Sequence, residues 1–218
     1  MKFPVRELLI PFLRNGLHAL ALMSLLGSTL VLTACEDKPP SFANLDITGN
    51  TNFANDFSLP DTGRAVRSLS DYKGKVVIVT FGYTHCPDVC PTTLAELSQT
   101  LEALGSEAAR RVQVLFVTVD PQRDTCNVLG QHVAAFNPSF RALRPVNSAQ
   151  LQQAANAFKV VYEKVPGKTA DNYTMDHSAA CCVFDTNGRL RLYVRNKQGV
   201  TPWVYDLKIL LDAPDRTA

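Results

Sequence analysis

The main part of this sequence lacks net charge. The chain has 22 basic and 20 acidic residues, of which 3 and 1 precede residue 35, so residues 35–218 contain 19 of each. Proteins that bind nucleic acids carry an excess of Lys and Arg, because these side chains neutralise phosphates. The neutral main part therefore predicts that nucleic acid is not a partner of this protein.

Internal repeats and low-complexity tracts are also absent from the sequence. Its 46% hydrophobic and 19% charged residues are typical of a globular protein rather than of a disordered one. A length of 218 residues is enough for one domain with a sizeable core and an additional segment. The sequence thus indicates a single folded domain, which we place at residues 51–214.

The additional segment lies at the N-terminus and resembles a lipoprotein signal peptide. A basic stretch that ends at Arg14 precedes an apolar run, which finishes in Leu32-Thr33-Ala34-Cys35. That tetrapeptide resembles the lipobox of bacterial lipoproteins, in which the cysteine is acylated and becomes the mature N-terminus. We predict a signal peptide at residues 1–34 and lipidation of Cys35. The alternative is an uncleaved membrane anchor, since about 18 apolar residues can just span a bilayer.

Both alternatives tether the domain to a membrane and place it in an oxidising compartment. Glu36 and Asp37 resemble a signal for retention at the inner membrane. The expected location is the bacterial cell envelope, with the lipid anchor in the inner membrane and the domain facing the periplasm. Residues 35–50 are rich in Pro, Asn and Asp and are predicted to form a linker after Cys35.

Regular secondary structure is predicted from residue 53 onward. A small N-terminal hairpin surrounds the turn Asp61-Thr62-Gly63-Arg64, and a second hairpin turns at Asn187-Gly188. The predicted strands cover residues 76–81, 112–119, 160–165, 179–184 and 190–194, and the predicted helices begin near Pro91, Thr125, Ser148 and Pro202. This order is typical of an α/β thioredoxin-like fold, in which helices flank a central mixed sheet.

Two cysteines lie four positions apart between the first long strand and the first helix. Cys86 and Cys90 occupy the stretch His85-Cys86-Pro87-Asp88-Val89-Cys90-Pro91, at the end of a strand where α/β folds place ligands. The N–H groups and dipole of the helix N-terminus are expected to lower the pKa of both thiols. The spacing also lets both sulfurs face one ion. The alternative is a structural disulfide, because paired cysteines of envelope proteins commonly form one.

A distal histidine favours a metal site over a simple pair of thiols. Of the four histidines, His18 lies in the signal peptide, His132 lies in a predicted helix, and His85 is expected to point away from the adjoining cysteine. His177 lies in a polar loop before a predicted strand, where the alternative is an ordinary polar residue. Two thiolates and an imidazole suit copper. Cuprous ion accepts three ligands, whereas zinc usually takes four.

Three sequence blocks closely resemble the Sco/SenC family of copper-binding assembly proteins. They occur in the order found in that family, and His177 follows Cys90 by 87 positions, as the family arrangement requires. The blocks are Gly74-Lys75 with Phe81-Gly82-Tyr83-Thr84-His85-Cys86-Pro87-Asp88-Val89-Cys90-Pro91-Thr92-Thr93-Leu94, Phe116-Val117-Thr118-Val119-Asp120-Pro121 with Arg123-Asp124-Thr125, and Asp176-His177-Ser178-Ala179 with Asp185 and Gly188. The resemblance spans residues 50–195.

This resemblance implies a thioredoxin-like domain that binds copper, as Cu(I) or Cu(II), through Cys86, Cys90 and His177. It implies a copper chaperone that helps to assemble the CuA centre of cytochrome c oxidase. The implied partners are the oxidase subunit carrying CuA, other copper chaperones, an envelope thiol reductase and, through the anchor, the membrane. A second hypothesis is a thiol–disulfide oxidoreductase with Cys86 and Cys90 as its redox-active pair. A peroxidase of the same fold is a third and less favoured one.

Three cysteines depart from the family pattern. Cys126 stands where the family commonly has proline, and Cys181 and Cys182 replace bulkier apolar residues. The latter two are expected to be small buried residues. A regular strand from His177 would, however, place Cys181 on the same face as His177, as a further ligand or a resolving thiol.

Four charged residues of the resemblance are assigned to supporting roles. Asp176 is a candidate for orienting His177 from the second coordination sphere, and the alternative is a solvated loop residue. Asp120, Arg123 and Asp124 are assigned to structure or to partner contacts.

Overall fold

The structure is a computed structural model that describes residues 41–54, 56–169 and 172–213. The predicted signal peptide, Cys35 and the first part of the predicted linker lie outside the described residues. The strands are β1 (Leu45–Asp46), β2 (Leu59–Pro60), β3 (Val66–Arg67), β4 (Val76–Gly82), β5 (Val112–Thr118), β6 (Arg141–Leu143), β7 (Tyr162–Pro166), β8 (Tyr173–His177), β9 (Ala180–Phe184) and β10 (Leu190–Arg195). The helices are α1 (Val89–Leu104), α2 (Ser106–Arg110), α3 (Cys126–Phe136), α4 (Ser148–Ala157) and α5 (Val200–Asp212), with a 3₁₀ turn at Leu69–Tyr72.

A six-stranded mixed sheet forms the centre of the domain, in the order β1-β10-β9-β4-β5-β6. The β4–β5 and β5–β6 pairs are parallel, whereas β9 pairs antiparallel with both β4 and β10. Helices pack against this sheet. The predicted α/β class, with helices flanking a central mixed sheet, is confirmed.

Strands β4 and β5 occupy the middle of the sheet because both are continuous apolar or β-branched runs. Every residue of these strands is buried, and their pairing runs from Val76 opposite Val112 to Gly82 opposite Thr118. Parallel strands covered on both faces require such runs. Since the two strands end at the same edge, the loops that follow Gly82 and Thr118 lie side by side.

Two helices begin before the prolines that were expected to open them. Helix α1 begins at Val89 rather than at Pro91, and α5 begins at Val200 rather than at Pro202. Each proline is therefore the third residue of its helix. A proline is tolerated in the first turn because N–H groups there have no acceptor within the helix.

A third helix differs from its prediction in the residue that caps it. Helix α4 is capped by Asn147, whose side-chain oxygen accepts a hydrogen bond from Gln150 N–H at 2.9 Å. Ser148, the predicted cap, is the first helical residue. The predicted cap of α3 is confirmed, since the Thr125 side chain accepts from Val128 N–H.

Both predicted hairpins are present. The β2–β3 turn is held by Asp61, whose carboxylate accepts from Ala65 N–H at 3.0 Å and pairs with Arg67 at 2.8 Å. The β9–β10 turn is held in the same way by Asp185, which accepts from Asn187 N–H at 3.0 Å. In each turn a short acidic side chain accepts hydrogen bonds from backbone N–H groups that are not paired between the two strands.

The segment before His177 is a strand rather than the expected polar loop. Strand β8 pairs antiparallel with β7 in a separate two-stranded sheet, with His177 opposite Tyr162. Ser178 and Ala179 separate β8 from β9, which belongs to the central sheet. The strand is therefore not regular from His177 through Cys181.

The end of the predicted linker is part of the domain. Leu45 pairs with Tyr193, which makes β1 an edge strand of the central sheet. The buried carboxylate of Asp206 accepts hydrogen bonds from Ala43 N–H at 2.7 Å and Asn44 N–H at 3.0 Å. Docking by backbone groups explains why a stretch of linker-like composition is ordered.

Within the described residues, none of the helices is long and apolar enough to cross a bilayer.

Candidate metal centre

The two cysteines of the candidate site lie where β4 turns into α1. Cys86 is in the loop after the strand and is partly exposed, whereas Cys90 is the second residue of the helix and is 3% exposed. The Cys90 N–H donates a hydrogen bond to Cys86 Sγ at 3.4 Å. One unpaired N–H group of the helix start thus faces the first sulfur.

The third predicted ligand lies beside these sulfurs. His177 ends β8, and its Nε2 atom is 3.4 Å from Cys90 Sγ. The two sulfurs and one ring nitrogen of His177 all lie within 4.8 Å of one another. Within the part of the chain that the structure describes, this is the only group of three or more Cys, His, Asp or Glu side chains with such spacing.

The ring of His177 is held so that its Nε2 lone pair faces the cysteines. Its Nδ1 atom is 3.0 Å from the carbonyl oxygen of Ser178, and a carbonyl can only accept, so Nδ1 carries the proton. The ring of Tyr83 packs edge-on against the imidazole at 5.9 Å and 87°. The neutral tautomer that results is the form of histidine that binds metals.

The backbone of Ser178, rather than Asp176, holds the ring of His177. Asp176 is exposed, and in the described structure its carboxylate makes no hydrogen bond to the imidazole. Successive residues of a strand point to opposite faces, so Asp176 is directed away from the site that His177 faces. Its contribution is a charge that weakly favours the protonated imidazole.

Burial dominates the electrostatics of the site. It raises the pKa of the Cys90 thiol far above its ordinary value, against the lowering expected from the helix N-terminus. Burial also lowers the pKa of His177, which favours its neutral form. Cys90 therefore donates its thiol proton toward the Nε2 lone pair of His177. A cation that takes the place of this proton would be held by both atoms.

The donor set and its spacing fit one metal ion. Metal–sulfur and metal–nitrogen bonds of about 2.3 and 2.0 Å place the ligand atoms of a three-coordinate ion roughly 3.7–4.0 Å apart. The observed 3.4 Å between Cys90 Sγ and His177 Nε2, and the 4.8 Å limit for the whole group, bracket that spacing. Small side-chain rotations are sufficient for coordination.

Comparison with known proteins identifies the family. The SCO1/SenC family model matches residues 46–212. This chain belongs to the SCO1/SenC family. A SCO2-like protein of Rickettsia felis is 36% identical over 141 residues, which are 64% of this chain and 68% of that protein.

Solved structures of Sco proteins have the same fold. ScoI of Bradyrhizobium japonicum with copper bound is 35% identical, with a TM-score of 0.66 over 73% of this chain and 99% of that one. Apo Sco1 of Thermus thermophilus is 34% identical, with a TM-score of 0.66 over 78% of this chain and 95% of that one. The predicted family is confirmed.

Gly82 is a residue of the site that the sequence analysis did not identify. A Cβ atom at this position would lie 2.6 Å from Cys90 Sγ and 2.8 Å from the ring of Phe116. The missing side chain therefore provides the space that the second sulfur occupies. The resemblance block contains Gly82 directly before Tyr83, but its role becomes evident only once the position of Cys90 is known.

The remaining cysteines of the described structure lie outside the group of three. Cys126 is the first residue of α3 and is partly exposed. Cys181 and Cys182 are buried, as expected, and point to opposite faces of β9. Cys181 pairs with Thr80 and lines a small cavity, of about 10 Å³, together with Cys90 and His177. Cys181 thus lies beside Cys90 and His177, although the regular strand from which this was expected is interrupted between β8 and β9.

The charged residues Asp120 and Arg123 connect the histidine strand to the rest of the domain. Arg123 pairs with Asp120 and donates to the carbonyl oxygen of Tyr173 at 2.8 Å. The Tyr173 hydroxyl donates to Asp120 at 2.9 Å. This network ties the first residue of β8 to the loop after β5, which agrees with the structural role assigned to these residues.

Proposed function

We propose that this protein binds one copper ion through Cys86, Cys90 and His177 and acts as a copper chaperone in the assembly of the CuA centre of cytochrome c oxidase. The observation that carries this proposal is the convergence of two thiols and an imidazole lone pair within 4.8 Å. Membership of the SCO1/SenC family and the copper found in the related ScoI support it.

The chemistry of the donors favours copper over other metals. Thiolates are soft ligands that suit Cu(I), and imidazole suits both Cu(I) and Cu(II). A group of three donors matches cuprous ion, which is stable with three ligands, better than zinc, which usually has four. The partly exposed Cys86 gives a partner protein access to the ion, since ligand exchange needs one ligand within reach of the acceptor.

The proposal includes a lipid tether at Cys35, with the domain at the periplasmic face of the inner membrane. It is supported by the sequence Leu32-Thr33-Ala34-Cys35 after an apolar run. Labelled palmitate supplied to cells should enter the wild-type protein and not the Cys35→Ser variant. Unlabelled wild-type protein that retains residues 1–34 would show a transmembrane anchor instead.

Copper titration of the reduced protein under anaerobic conditions tests the metal site. We expect one Cu(I) per chain in the wild type, and at least about 100-fold weaker binding in the Cys86→Ala and Cys90→Ala variants. His177→Ala should weaken Cu(II) binding more than Cu(I) binding, because two thiolates remain for the softer ion. Cys126→Ser is the matched control and should bind like the wild type. Wild-type affinity in a Cys86→Ala, Cys90→Ala double variant would disprove the site.

A second candidate function is thiol–disulfide exchange by the same two cysteines. It is favoured by the arrangement of a partly exposed Cys86 beside a buried Cys90, which resembles an attacking thiol and its resolving partner. The two functions differ in their need for His177, because an imidazole ligates copper but takes no electrons from a disulfide. A His177→Ala strain that fails to mature CuA as severely as a Cys86→Ala strain supports the chaperone. Normal oxidase assembly in that strain at low copper supports the reductase.

A further inference from the structure

Asp124 is a fully buried carboxylate next to the loop that carries Cys86. It is 0% exposed, and none of the ion pairs among the described residues includes it. A buried charge without a counter-ion is costly unless hydrogen bonds replace its hydration. The charge of Asp124 is therefore held in place by the donors around it, and their identity indicates what the residue does.

Two threonines from different parts of the chain supply these donors. The Thr84 hydroxyl donates to Oδ1 and the Thr118 hydroxyl donates to Oδ2, both at 2.5 Å. The Thr84 N–H also lies 3.2 Å from Oδ2. Thr118 is the last residue of β5, whereas Thr84 lies in the loop after β4. Asp124 thus connects the metal-binding loop to the neighbouring strand end.

The same carboxylate also orients His85, through Thr84. The single hydroxyl proton of Thr84 is donated to Asp124, so its oxygen accepts from Nδ1–H of His85 at 3.0 Å. One buried group therefore sets the orientation of the two residues immediately before Cys86.

Few other side-chain hydrogen bonds tie this loop to the rest of the domain. In the described structure, one of these joins Asp88 to Lys197 at 3.1 Å. Both of those side chains are more than half exposed, and exposed ion pairs contribute little. The buried connection through Asp124 is a stronger constraint on the loop than this ion pair.

We propose that Asp124 is a positioning residue of the metal centre, which sets the direction of the Cys86 thiol by holding Thr84. This inference rests on the proposed function, because it concerns the geometry of the copper site. It assigns to Asp124 a part in metal binding, beyond the structural or partner role expected from the sequence. The outer partners of metal ligands commonly affect affinity by 10–100-fold.

Two threonine substitutions separate a positioning role from a structural one. Thr84→Val and Thr118→Val each remove one hydroxyl from the same carboxylate with little change of volume, but only Thr84 belongs to the loop. We expect Thr84→Val to weaken Cu(I) binding at least about 10-fold, measured by competition with a cuprous chelator. Its Cu(II) complex should show a shifted sulfur-to-copper charge-transfer band. Thr118→Val should keep the wild-type band and an affinity within about twofold, and Thr84→Ser should restore both.

The controls distinguish failure of this inference from failure of the proposed function. Absence of copper binding in the wild type would remove the proposed function itself. Copper binding in the wild type with an unchanged affinity and spectrum in Thr84→Val would overturn only the positioning role. An equal spectral shift in Thr118→Val would also overturn it, because the carboxylate would then act through general stability. Denaturant unfolding of each apo variant identifies any that fail to fold, and Thr84→Ser then provides the comparison.

Discussion

The two halves of the metal centre differ in how firmly the fold holds them. The cysteines follow β4, a strand that is buried at every residue and paired on both sides, with β5 and β9. The histidine ends β8, which pairs only with β7 in a two-stranded sheet, and four of the five residues of β7 are exposed. The two cysteines are therefore anchored to the central sheet, with Cys90 in the core, whereas the imidazole belongs to a peripheral hairpin.

If the three residues bind copper as proposed, this difference gives them separate tasks. Thiolates held by the central sheet would provide a constant part of the affinity, because thiolates are the ligands that Cu(I) prefers. A histidine on a peripheral hairpin adds a contribution that depends on how well the hairpin is docked, and regions with few buried contacts open most readily. Variants that disturb only one half test this division.

Gly82→Ala should disrupt the cysteine half and have the largest effect. The new methyl group would lie 2.6 Å from Cys90 Sγ and 2.8 Å from the ring of Phe116, so the sulfur must move. Overpacking of this kind costs typically about 1–3 kcal/mol of unfolding free energy. We expect a loss in that range by denaturant unfolding, and Cu(I) affinity reduced at least about 100-fold in chelator competition.

A second glycine provides the control for this prediction. A methyl group at Gly130, in α3, would meet Thr62 at no less than 3.5 Å, which is an ordinary contact. Gly130→Ala should keep wild-type copper affinity and gain stability, up to about 1 kcal/mol, since alanine favours a helix over glycine. Wild-type affinity in Gly82→Ala would show that the position of the Cys90 sulfur is adjustable, and the proposed rigidity of this half would be wrong.

Arg123→Lys should disturb the histidine half and have an intermediate effect. The Arg123 guanidinium donates to the Tyr173 carbonyl at 2.8 Å and lies 3.5 Å from the centre of the Tyr173 ring. Lysine keeps the positive charge opposite the buried Asp120 but lacks the planar guanidinium group, with its several N–H donors. We expect a loss of about 1–2 kcal/mol in unfolding free energy. Cu(II) affinity should fall several-fold while Cu(I) affinity changes less.

The matched control is Lys164, which packs against the same tyrosine ring. The Lys164 ammonium is 3.7 Å from the centre of the Tyr173 ring but belongs to the exposed strand β7. Lys164→Met should leave both copper affinities within about twofold of the wild type, since exposed cation–π contacts contribute little. Equal losses for Cu(I) and Cu(II) in Arg123→Lys would indicate that the network supports the whole site rather than the histidine alone.

The same division explains which features could be predicted from the sequence. Strands β4 and β5 are evident because burial on both faces requires an apolar residue at every position. The three ligand candidates are evident because Cys and His are few and their spacing resembles a known family. The sequence of β8 predicts a loop because its polar positions dominate the pattern, although buried Tyr173 and Met175 alternate with more exposed residues in the structure.

Features that depend on tertiary contacts could not be predicted. The position of Cys90 at a helix N-terminus predicts a lowered pKa for its thiol, but burial raises this pKa, and the burial depends on how residues of β5 and β9 pack around the sulfur. The importance of Gly82 requires the position of a sulfur eight residues away. The link from Asp124 to Thr84 crosses 40 residues and joins two strand ends. In each case the sequence contains the residue and the fold determines its neighbour.

Cys181→Ser should have the smallest effect, and it tests whether the site extends into the sheet between the two halves. Cys181 lines the small cavity with Cys90 and His177 but lies outside the group of atoms within 4.8 Å. Complete burial raises the pKa of its thiol to about 12, so it remains protonated at neutral pH and is a poor ligand there. We expect one Cu(I) per chain and an affinity within about twofold of the wild type.

Cys182→Ser is the matched control for this substitution, because the two residues are adjacent and have opposite orientations. Cys182 pairs with Val79 and points to the face away from the metal centre. Both changes place a hydroxyl in the interior, so both should lower the unfolding free energy by about 1–2 kcal/mol. If Cys181→Ser alone weakened Cu(I) binding more than 10-fold, Cys181 would be a fourth ligand. The site would then include a third sulfur, from β9 of the central sheet. It would no longer divide into a core half and a peripheral half.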